Sequence, residues 1–151
     1  MPMPRPTLSL KGRALRYLSQ REHSRLELER KLAAHEEVPG ELARALDELT
    51  AKGFIDPRRV AESVVNRRGS RLGTARVRQE MLAKGLDSDI VGEALVGLRA
   101  TERARAREVW RRKFGEPAPD AAGRAKQMRF LAARGFAPEV IRRVVGESDD
   151  E

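Results

Sequence analysis

The segment Met81-Leu-Ala-Lys-Gly-Leu86 recurs 50 residues later as Leu131-Ala-Ala-Arg-Gly-Phe136. Each copy has an apolar anchor, a basic residue, a glycine and a second apolar residue in the same order. A glycine after a helical run is a typical helix end, and the apolar residue behind it folds back onto the core. Leu28 lies 49 residues before Val77, which extends the spacing toward the start of the chain. The repeat therefore predicts tandem helical units of about 50 residues.

The rest of the sequence has the spacing and the end signals of helices. Apolar residues recur every three or four positions, and Pro precedes helical runs that Gly follows. Ser24 and Glu27 form the S-x-x-E pattern of a capping box, Asp56-Pro57 marks another helix start, and a third helix is predicted from near Pro39. We expect an all-α fold of three tandem three-helix repeats in an elongated, curved array; a compact single bundle with accidental similarity is the alternative. The predicted segments are a flexible N-terminus over 1–7, repeats over 8–55, 56–99 and 100–146, and an acidic disordered tail over 147–151.

Two separate helices are predicted where the second repeat meets the third. One begins after Asp87 and extends through Leu98, and the next runs from Thr101 to Phe114. Trp110 and Phe114 are four residues apart, so they are expected to form an apolar pair on one helix face. The remaining phenylalanines are also interpreted as core residues: Phe54, Phe130 and Phe136.

Composition excludes several classes of protein. The 151 residues include no cysteine, which excludes disulfides, thiolate zinc sites, iron–sulfur clusters and cysteine nucleophiles. The two histidines are His23, in a turn expected to face solvent, and His35, near a helix end where an imidazolium complements the dipole. No apolar run approaches the roughly 20 residues of a membrane span, and the start of the chain lacks a signal-peptide apolar region. We expect a cytoplasmic monomer that binds no membrane.

The sequence does not indicate an enzyme. It has neither a G-x-x-x-x-G-K-[ST] nor a G-x-G-x-x-G phosphate loop, and no G-x-S-x-G nucleophile elbow. The paired acids Glu36-Glu37 and Asp47-Glu48 are interpreted as solvated faces. We therefore predict no catalytic residue, no metal site and no cofactor.

Positive charge is the strongest functional signal. The formal net charge is +8 and the pI about 10.7, which favours a polyanion or an acidic protein surface as partner. Arginine supplies 25 of the 31 basic residues, and its planar fork suits phosphate or carboxylate; GC-rich codon usage is the alternative cause. Residues 67–78 hold five arginines and no acid, and the helix that starts near Thr74 adds N–H groups to this candidate anion site. A second run over 103–113 includes Arg105 and contains one acid, Glu108.

These clusters and a third near residues 126–134 supply the predicted partner- or DNA-binding residues. Intramolecular ion pairs between repeats are the alternative role for the same side chains. The predicted residues are Arg67, Arg68, Arg71, Arg76, Arg78, Lys84, Arg103, Arg107, Arg111, Arg112, Lys113, Lys126, Arg129 and Arg134.

Several segments also match a known pattern in their order and spacing. They are residues 14–32, Gly53-Phe-Ile-Asp-Pro-Arg-Arg-Val-Ala61, residues 73–86, Arg112-Lys-Phe-Gly115 and residues 126–136. Together they resemble the RecX family, the regulators of the RecA recombinase, over about residues 8–146. Val60 and Leu72 stand where aromatic residues are common in the family, and Pro57 replaces a frequent acid.

The resemblance implies a non-enzymatic regulator. Members of the family lie in the helical groove of the RecA filament on DNA, contact neighbouring RecA subunits and inhibit recombinase and ATPase activity. The implied role is modulation of DNA repair, recombination and the SOS response. The implied partners are the RecA filament and, more weakly, single- or double-stranded DNA. The alternative is a general basic DNA-binding repeat protein that acts by coating DNA.

Overall fold

A computed structural model of the chain describes residues 7–146, and within that range it contains helices and no strand. The predicted all-α fold is confirmed. Most of the predicted flexible N-terminus and the whole predicted acidic tail lie outside the described residues. The elements are α1 (Leu10–Gln20), α2 (Arg25–Leu32), a 3₁₀ helix (Ala33–His35), α3 (Glu41–Ala51), α4 (Pro57–Arg68), α5 (Thr74–Ala83), α6 (Ser88–Lys113), α7 (Ala121–Ala133) and α8 (Pro138–Gly146).

The first compact unit of the chain ends at Val60 and contains α1, α2 and α3. These helices enclose a core in which Ala14, Leu28 and Leu46 are fully buried. Burial of each leucine contributes about 1.5–3 kcal/mol relative to exposure. Leu28, the position that the repeat identified in this part of the chain, is therefore one of the residues that stabilise this unit.

Helix starts in the first unit follow the local sequence chemistry. The Ser24 hydroxyl accepts a hydrogen bond from the Glu27 N–H at 3.2 Å, and the Ser24 N–H donates to the Glu27 carboxylate at 3.1 Å. The predicted capping box is thus confirmed. Helix α3 begins at Glu41, slightly later than predicted from Pro39, because Gly40 before it has a left-handed φ of 88°.

The second compact unit begins at Ala61 and contains α5 to α8. Helix α6 packs against both α5 and α8, and α7 packs against α8. Val77 and Leu95 are fully buried in this unit, as is Leu131 on α7.

Helix α6 is one continuous element of 26 residues. The prediction of two helices, over 87–98 and 101–114, is therefore wrong. Arg99-Ala-Thr101 contains neither Gly nor Pro, so the backbone chemistry provides no helix end at that point. Trp110 is buried near the C-terminus of α6 and Phe114 packs beside it in the same core, as predicted.

The three other phenylalanines differ in their environments. Phe136 is buried, and Phe130 is half-buried with its ring edge-to-face against Phe114 at a centroid distance of 5.4 Å. The prediction that Phe54 lies in the core is wrong, because 47% of its surface is exposed. Ile55, the next residue, is buried in its place.

His23 does not face solvent, contrary to the prediction. It is buried between helices α1 and α2, with Nδ1 3.0 Å from the Arg21 carbonyl oxygen and Nε2 3.0 Å from the Lys31 ammonium. The neutral ring satisfies both contacts when Nδ1–H donates and Nε2 accepts. Burial lowers the pKa of His23, and the positive charges of Arg21 and Lys31 act in the same direction. His35 ends the exposed 3₁₀ helix, near the helix end where the sequence placed it.

Candidate functional site: a basic groove

A groove of about 340 Å³ lies in the second unit, between the α4–α5 loop and helices α6 and α7. Four of its lining side chains are cationic and come from all three predicted clusters. The loop supplies Arg71, α6 supplies Arg112 and Lys113, and Arg134 follows the last residue of α7. We call this feature the basic groove. Its lining residues are Ser70, Arg71, Glu108, Val109, Arg112, Lys113, Phe130 and Arg134.

The single carboxylate of the basic groove, Glu108, is already engaged. It accepts hydrogen bonds from Arg111 at 3.2 Å and from Arg112 at 3.0 Å, and these arginines lie three and four residues further along α6. These hydrogen bonds lower the pKa of the Glu108 carboxyl below its ordinary value. Glu108 is therefore ionised at neutral pH, and its charge is shared between two arginines on its own helix.

Among the residues that the structure describes, the other cations of the basic groove have no such partner. Within residues 7–146, no carboxylate lies in ion-pair range of Arg71, Lys113 or Arg134. The Lys113 ammonium lies 5.5 Å and the Arg134 guanidinium 5.0 Å from the centroid of the Phe130 ring. Such cation–π contacts orient the two side chains without neutralising them. The basic groove thus presents positive charge suited to an anionic ligand.

The α4–α5 loop is bound by the side chain of Arg105 on α6. The sequence places this residue in the basic run over 103–113, but its guanidinium is directed inward. Its Nη1 donates to the carbonyl oxygens of Gly69 at 2.7 Å and Leu72 at 2.5 Å. Burial lowers the pKa of Arg105, while the negative charge of Glu102 opposes that shift.

The start of α5 is not a free anion site, contrary to the prediction. The Thr74 N–H donates to the buried carboxylate of Glu102 at 2.7 Å. A carboxylate from α6 therefore occupies the position that the helix N-terminus would offer to a ligand.

The α4–α5 loop and the start of α5 are also joined to the end of α7 by hydrogen bonds to backbone carbonyls. The Gly73 N–H donates to the Arg134 carbonyl oxygen at 2.8 Å, and Arg76 Nη1 donates to the Ala133 carbonyl oxygen at 3.3 Å. A Cβ on Gly73 would collide with the backbone of Gly135, which itself has a φ of 89°. Only glycine at both positions allows the loop to approach the end of α7 this closely.

The remaining predicted residues do not line the basic groove. Arg68 forms a double hydrogen-bonded pair with Glu80 at 3.2 and 3.0 Å, and Arg76 makes the carbonyl contact described above. Both side chains bind within the protein, but neither forms the predicted alternative of an ion pair between repeats. Arg68 and Glu80 lie in the same predicted repeat, and the acceptor of Arg76 is a carbonyl oxygen. Lys84 is half-buried at the C-cap of α5. The exposed remainder are Arg67, Arg78, Arg103, Arg107, Arg111, Lys126 and Arg129.

Four lining residues were not identified from the sequence: Ser70, Glu108 as a lining group, Val109 and Phe130. The spacing of Glu108 before Arg111 and Arg112 was a usable signal for the pairing. The others follow from the way α7 packs in this unit, which no local pattern encodes. Within the described part of the chain, no cluster of His, Asp and Glu is arranged to hold a metal ion. Over the same residues, no helix is long and apolar enough to cross a bilayer.

Comparison with known proteins gives consistent results over most of the chain. Residues 11–49, 56–95 and 101–145 match, in turn, the first, second and third three-helix domains of RecX. "Regulatory protein RecX" of Leptothrix cholodnii is 54% identical over 97% of this chain and 94% of its own length. The protein of the same name from Ralstonia nicotianae is 52% identical over 99% of this chain and 94% of its own length.

Solved structures show the same fold at lower sequence identity. The crystal structure of RecX from Lactobacillus salivarius superposes with a TM-score of 0.73 at 22% identity, covering 94% of this chain and 96% of that one. A second crystal structure, of regulatory protein RecX, gives a TM-score of 0.76 at 21% identity, covering 91% of this chain and 71% of that one. The domain matches and the close relatives together establish that this chain belongs to the RecX family.

Proposed function

We propose that this protein is a non-enzymatic regulator of the RecA recombinase that binds in the groove of the RecA–DNA filament and inhibits its recombinase and ATPase activities. The observation that carries the proposal is the match to all three RecX domains, together with close relatives named as regulatory proteins over nearly their full length. Such a regulator acts by occupying a surface, so it needs complementary charge rather than a catalytic constellation.

The basic groove supports this role as an attachment site. A filament on DNA presents phosphates and protein carboxylates, and both are ligands for arginine forks. Arg71, Lys113 and Arg134 lack carboxylate partners within residues 7–146, so their charge is available to such ligands. We therefore assign the filament contact first to the basic groove and second to the exposed arginines around it.

The same uncompensated cations favour a second candidate function, that of a general DNA-binding protein which acts by coating DNA. The two differ in stoichiometry and in their sensitivity to competitor. A coating protein is needed in amounts that cover the DNA, and excess bare DNA removes it. Its affinity also falls with salt at a slope near −0.7 to −0.9 for each phosphate that it contacts.

The deciding experiment is RecA ATP hydrolysis on single-stranded DNA, with this protein titrated far below the RecA concentration. The control titration contains excess competitor DNA. We expect inhibition at substoichiometric amounts that survives the competitor. Inhibition that disappears with competitor, or that requires enough protein to cover the DNA, would instead establish the coating function.

A matched pair of variants then locates the contact. The groove variant combines Arg71→Gln, Arg112→Gln, Lys113→Gln and Arg134→Gln. The control variant loses the same charge at exposed arginines outside the predicted binding residues, with Arg99→Gln, Arg124→Gln, Arg142→Gln and Arg143→Gln. We expect the groove variant to lose most inhibition and the control to keep most of it. Equal losses would assign attachment to net charge rather than to the basic groove.

A further inference from the structure

Two hydrogen bonds from Arg105 bracket a pair of groove residues. Its Nη1 atom donates to Gly69 and to Leu72, the residues on either side of Ser70 and Arg71. Ser70 and Arg71 both line the basic groove. The carbonyls on both sides of this short segment are therefore fixed to α6, while the side chains between them reach the groove.

The rest of the Arg105 guanidinium is fixed as well. Nη2 donates to the Leu98 carbonyl oxygen at 2.7 Å and to the Thr74 hydroxyl at 3.2 Å, and Nε donates to the Thr101 hydroxyl at 3.1 Å. All three nitrogens thus have acceptors, on α6, on the loop and at the start of α5. A guanidinium in such a network has little freedom to bind a ligand itself.

We propose that Arg105 is a positioning residue for anion binding in the basic groove, and that it acts by holding the 69–73 loop so that Arg71 meets a phosphodiester of single-stranded DNA. The proposal deepens the anion-binding part of the proposed function and rests on it. Arg112 and Lys113 also line the groove, and they lie on α6, the same helix as Arg105. One helix therefore carries two of the ligand-binding cations and also fixes the loop that carries a third.

The network needs the shape of arginine more than its charge. Both loop contacts come from Nη1, and a lysine side chain ends one bond short of that atom. A lysine also has one nitrogen, whereas the network uses three nitrogens in a fixed plane. All the nitrogens of Arg105 donate to protein acceptors. We therefore expect Arg105→Lys to keep the charge but to lose the loop contacts. The pKa of the guanidinium is lowered by burial from a value far above neutrality, so the group is a cation at neutral pH.

Binding of a fluorescein-labelled single-stranded oligonucleotide, measured by anisotropy across a salt series, tests the proposal without RecA. We expect Arg71→Gln to lower the affinity several-fold and to reduce the salt slope by about 0.7, the loss of one phosphate contact. Arg105→Gln and Arg105→Lys are expected to have the same effect as Arg71→Gln. The double variant Arg71→Gln/Arg105→Gln is expected to lose nothing more, since Arg105 acts through Arg71.

The matched control is Arg99→Gln, which removes an exposed charge from the same helix and is expected to leave the salt slope unchanged. Three results would overturn the proposal: no binding by the parent protein at low salt, restored affinity in Arg105→Lys, or additive losses in the double variant. Should Arg105→Gln not fold, Arg105→Lys carries the test, and faster amide exchange in the 69–73 loop is then expected beside weaker binding. Unchanged exchange there would equally contradict the loop mechanism.

Because no RecA is present, failure of this test leaves the inhibition of RecA untouched. Conversely, a protein that does not inhibit RecA can still show the coupling between Arg105 and Arg71. The two proposals therefore fail separately.

Discussion

The turn Ala51-Lys-Gly-Phe54 in the first unit and the turn Ala133-Arg-Gly-Phe136 in the second have the same sequence pattern but different packing. Gly53 and Gly135 both end a helix with a left-handed φ, of 81° and 89°. A Cβ on Gly53 would meet nothing within 4 Å, whereas a Cβ on Gly135 would collide with Arg76. Phe54 is 47% exposed and Phe136 only 4%.

The comparison separates what local sequence decides from what a neighbouring element decides. The backbone hydrogen bonds of the two turns are alike: the Gly53 N–H donates to Thr50 and the Gly135 N–H to Ala132, each at 3.0 Å. Local chemistry therefore sets the turn in both places. Only the turn at Gly135 lies against α5, and Arg134 in that turn lines the basic groove.

The largest difference is expected when the two phenylalanines are truncated. Phe136→Ala removes a buried ring and is expected to cost about 3–5 kcal/mol. Phe54→Ala removes a half-exposed ring and is expected to cost less than about 1 kcal/mol. Urea unfolding measures the second unit through the fluorescence of Trp110, the single tryptophan of the chain, and the whole chain through circular dichroism. Equal costs would show that the exposure of Phe54 does not represent its packing.

The glycines themselves are expected to give the next largest difference. Gly53→Ala meets only the unfavourable φ, which costs roughly 1–2 kcal/mol. Gly135→Ala adds the collision with Arg76 and is expected to cost roughly 2–4 kcal/mol. It should also weaken oligonucleotide binding, because the loop can no longer reach the end of α7. The same unfolding measurements apply, and a similar cost for both variants would remove the distinction between the turns.

Mild acid is expected to lower the stability of the first unit more than that of the second. Both histidines of the chain lie in the first unit, and the pKa of buried His23 is lowered in the folded state. The unfolded chain then binds a proton at His23 before the folded chain does, so stability is complete above about pH 6.5 and falls as the pH drops below it. Hydrogen exchange at pH 7.5 and 5.5 is expected to show the loss in α1 and α2. His23→Gln should remove that pH dependence and His35→Gln should keep it.

The smallest expected effects distinguish two neighbouring arginines. Arg68→Gln breaks the partly exposed pair with Glu80 and is expected to cost at most about 1 kcal/mol, less at high salt, with little change in oligonucleotide affinity. Arg71→Gln is expected to change stability by no more than about 0.5 kcal/mol while lowering affinity several-fold. Thermal unfolding and anisotropy together measure both. A reversed pattern would mean that the ion pair with Glu80 opens to bind the ligand.

Much of the fold was predictable because its signals are local. The Ser24 capping box, the helix ends at glycine and the apolar anchors such as Leu28 and Met81 depend on residues within a few positions of one another. The helix end that was wrongly predicted near residue 100 shows the limit of the repeat itself. Its periodicity suggested a break near residue 100, whereas the residues there have no reason to stop a helix.

The candidate site was only partly predictable because arginines are alike in sequence and differ by their acceptors. Arg71 and Arg112 were predicted and do line the basic groove. Arg68 was predicted with them, and Arg105 lies in the same basic run as Arg112, but both bind inside the protein instead. The acceptors of Arg105 include carbonyls more than 30 residues away in the chain. No local pattern encodes such a contact. The burial of His23 beside Lys31 was missed because it depends on how α1 and α2 pack around the turn between them.

The continuity of α6 has a consequence for dividing this protein into pieces. A fragment that ends at residue 99 would sever a helix about 39 Å long, at 1.5 Å per residue. It would also leave α5 without the Glu102 carboxylate at its start, and the 69–73 loop without Arg105. The predicted middle repeat therefore depends on two side chains, Glu102 and Arg105, that lie beyond its predicted end at residue 99. Chimaeras that exchange the third repeat with that of a relative are expected to fold best when the junction is placed before α6 rather than within it.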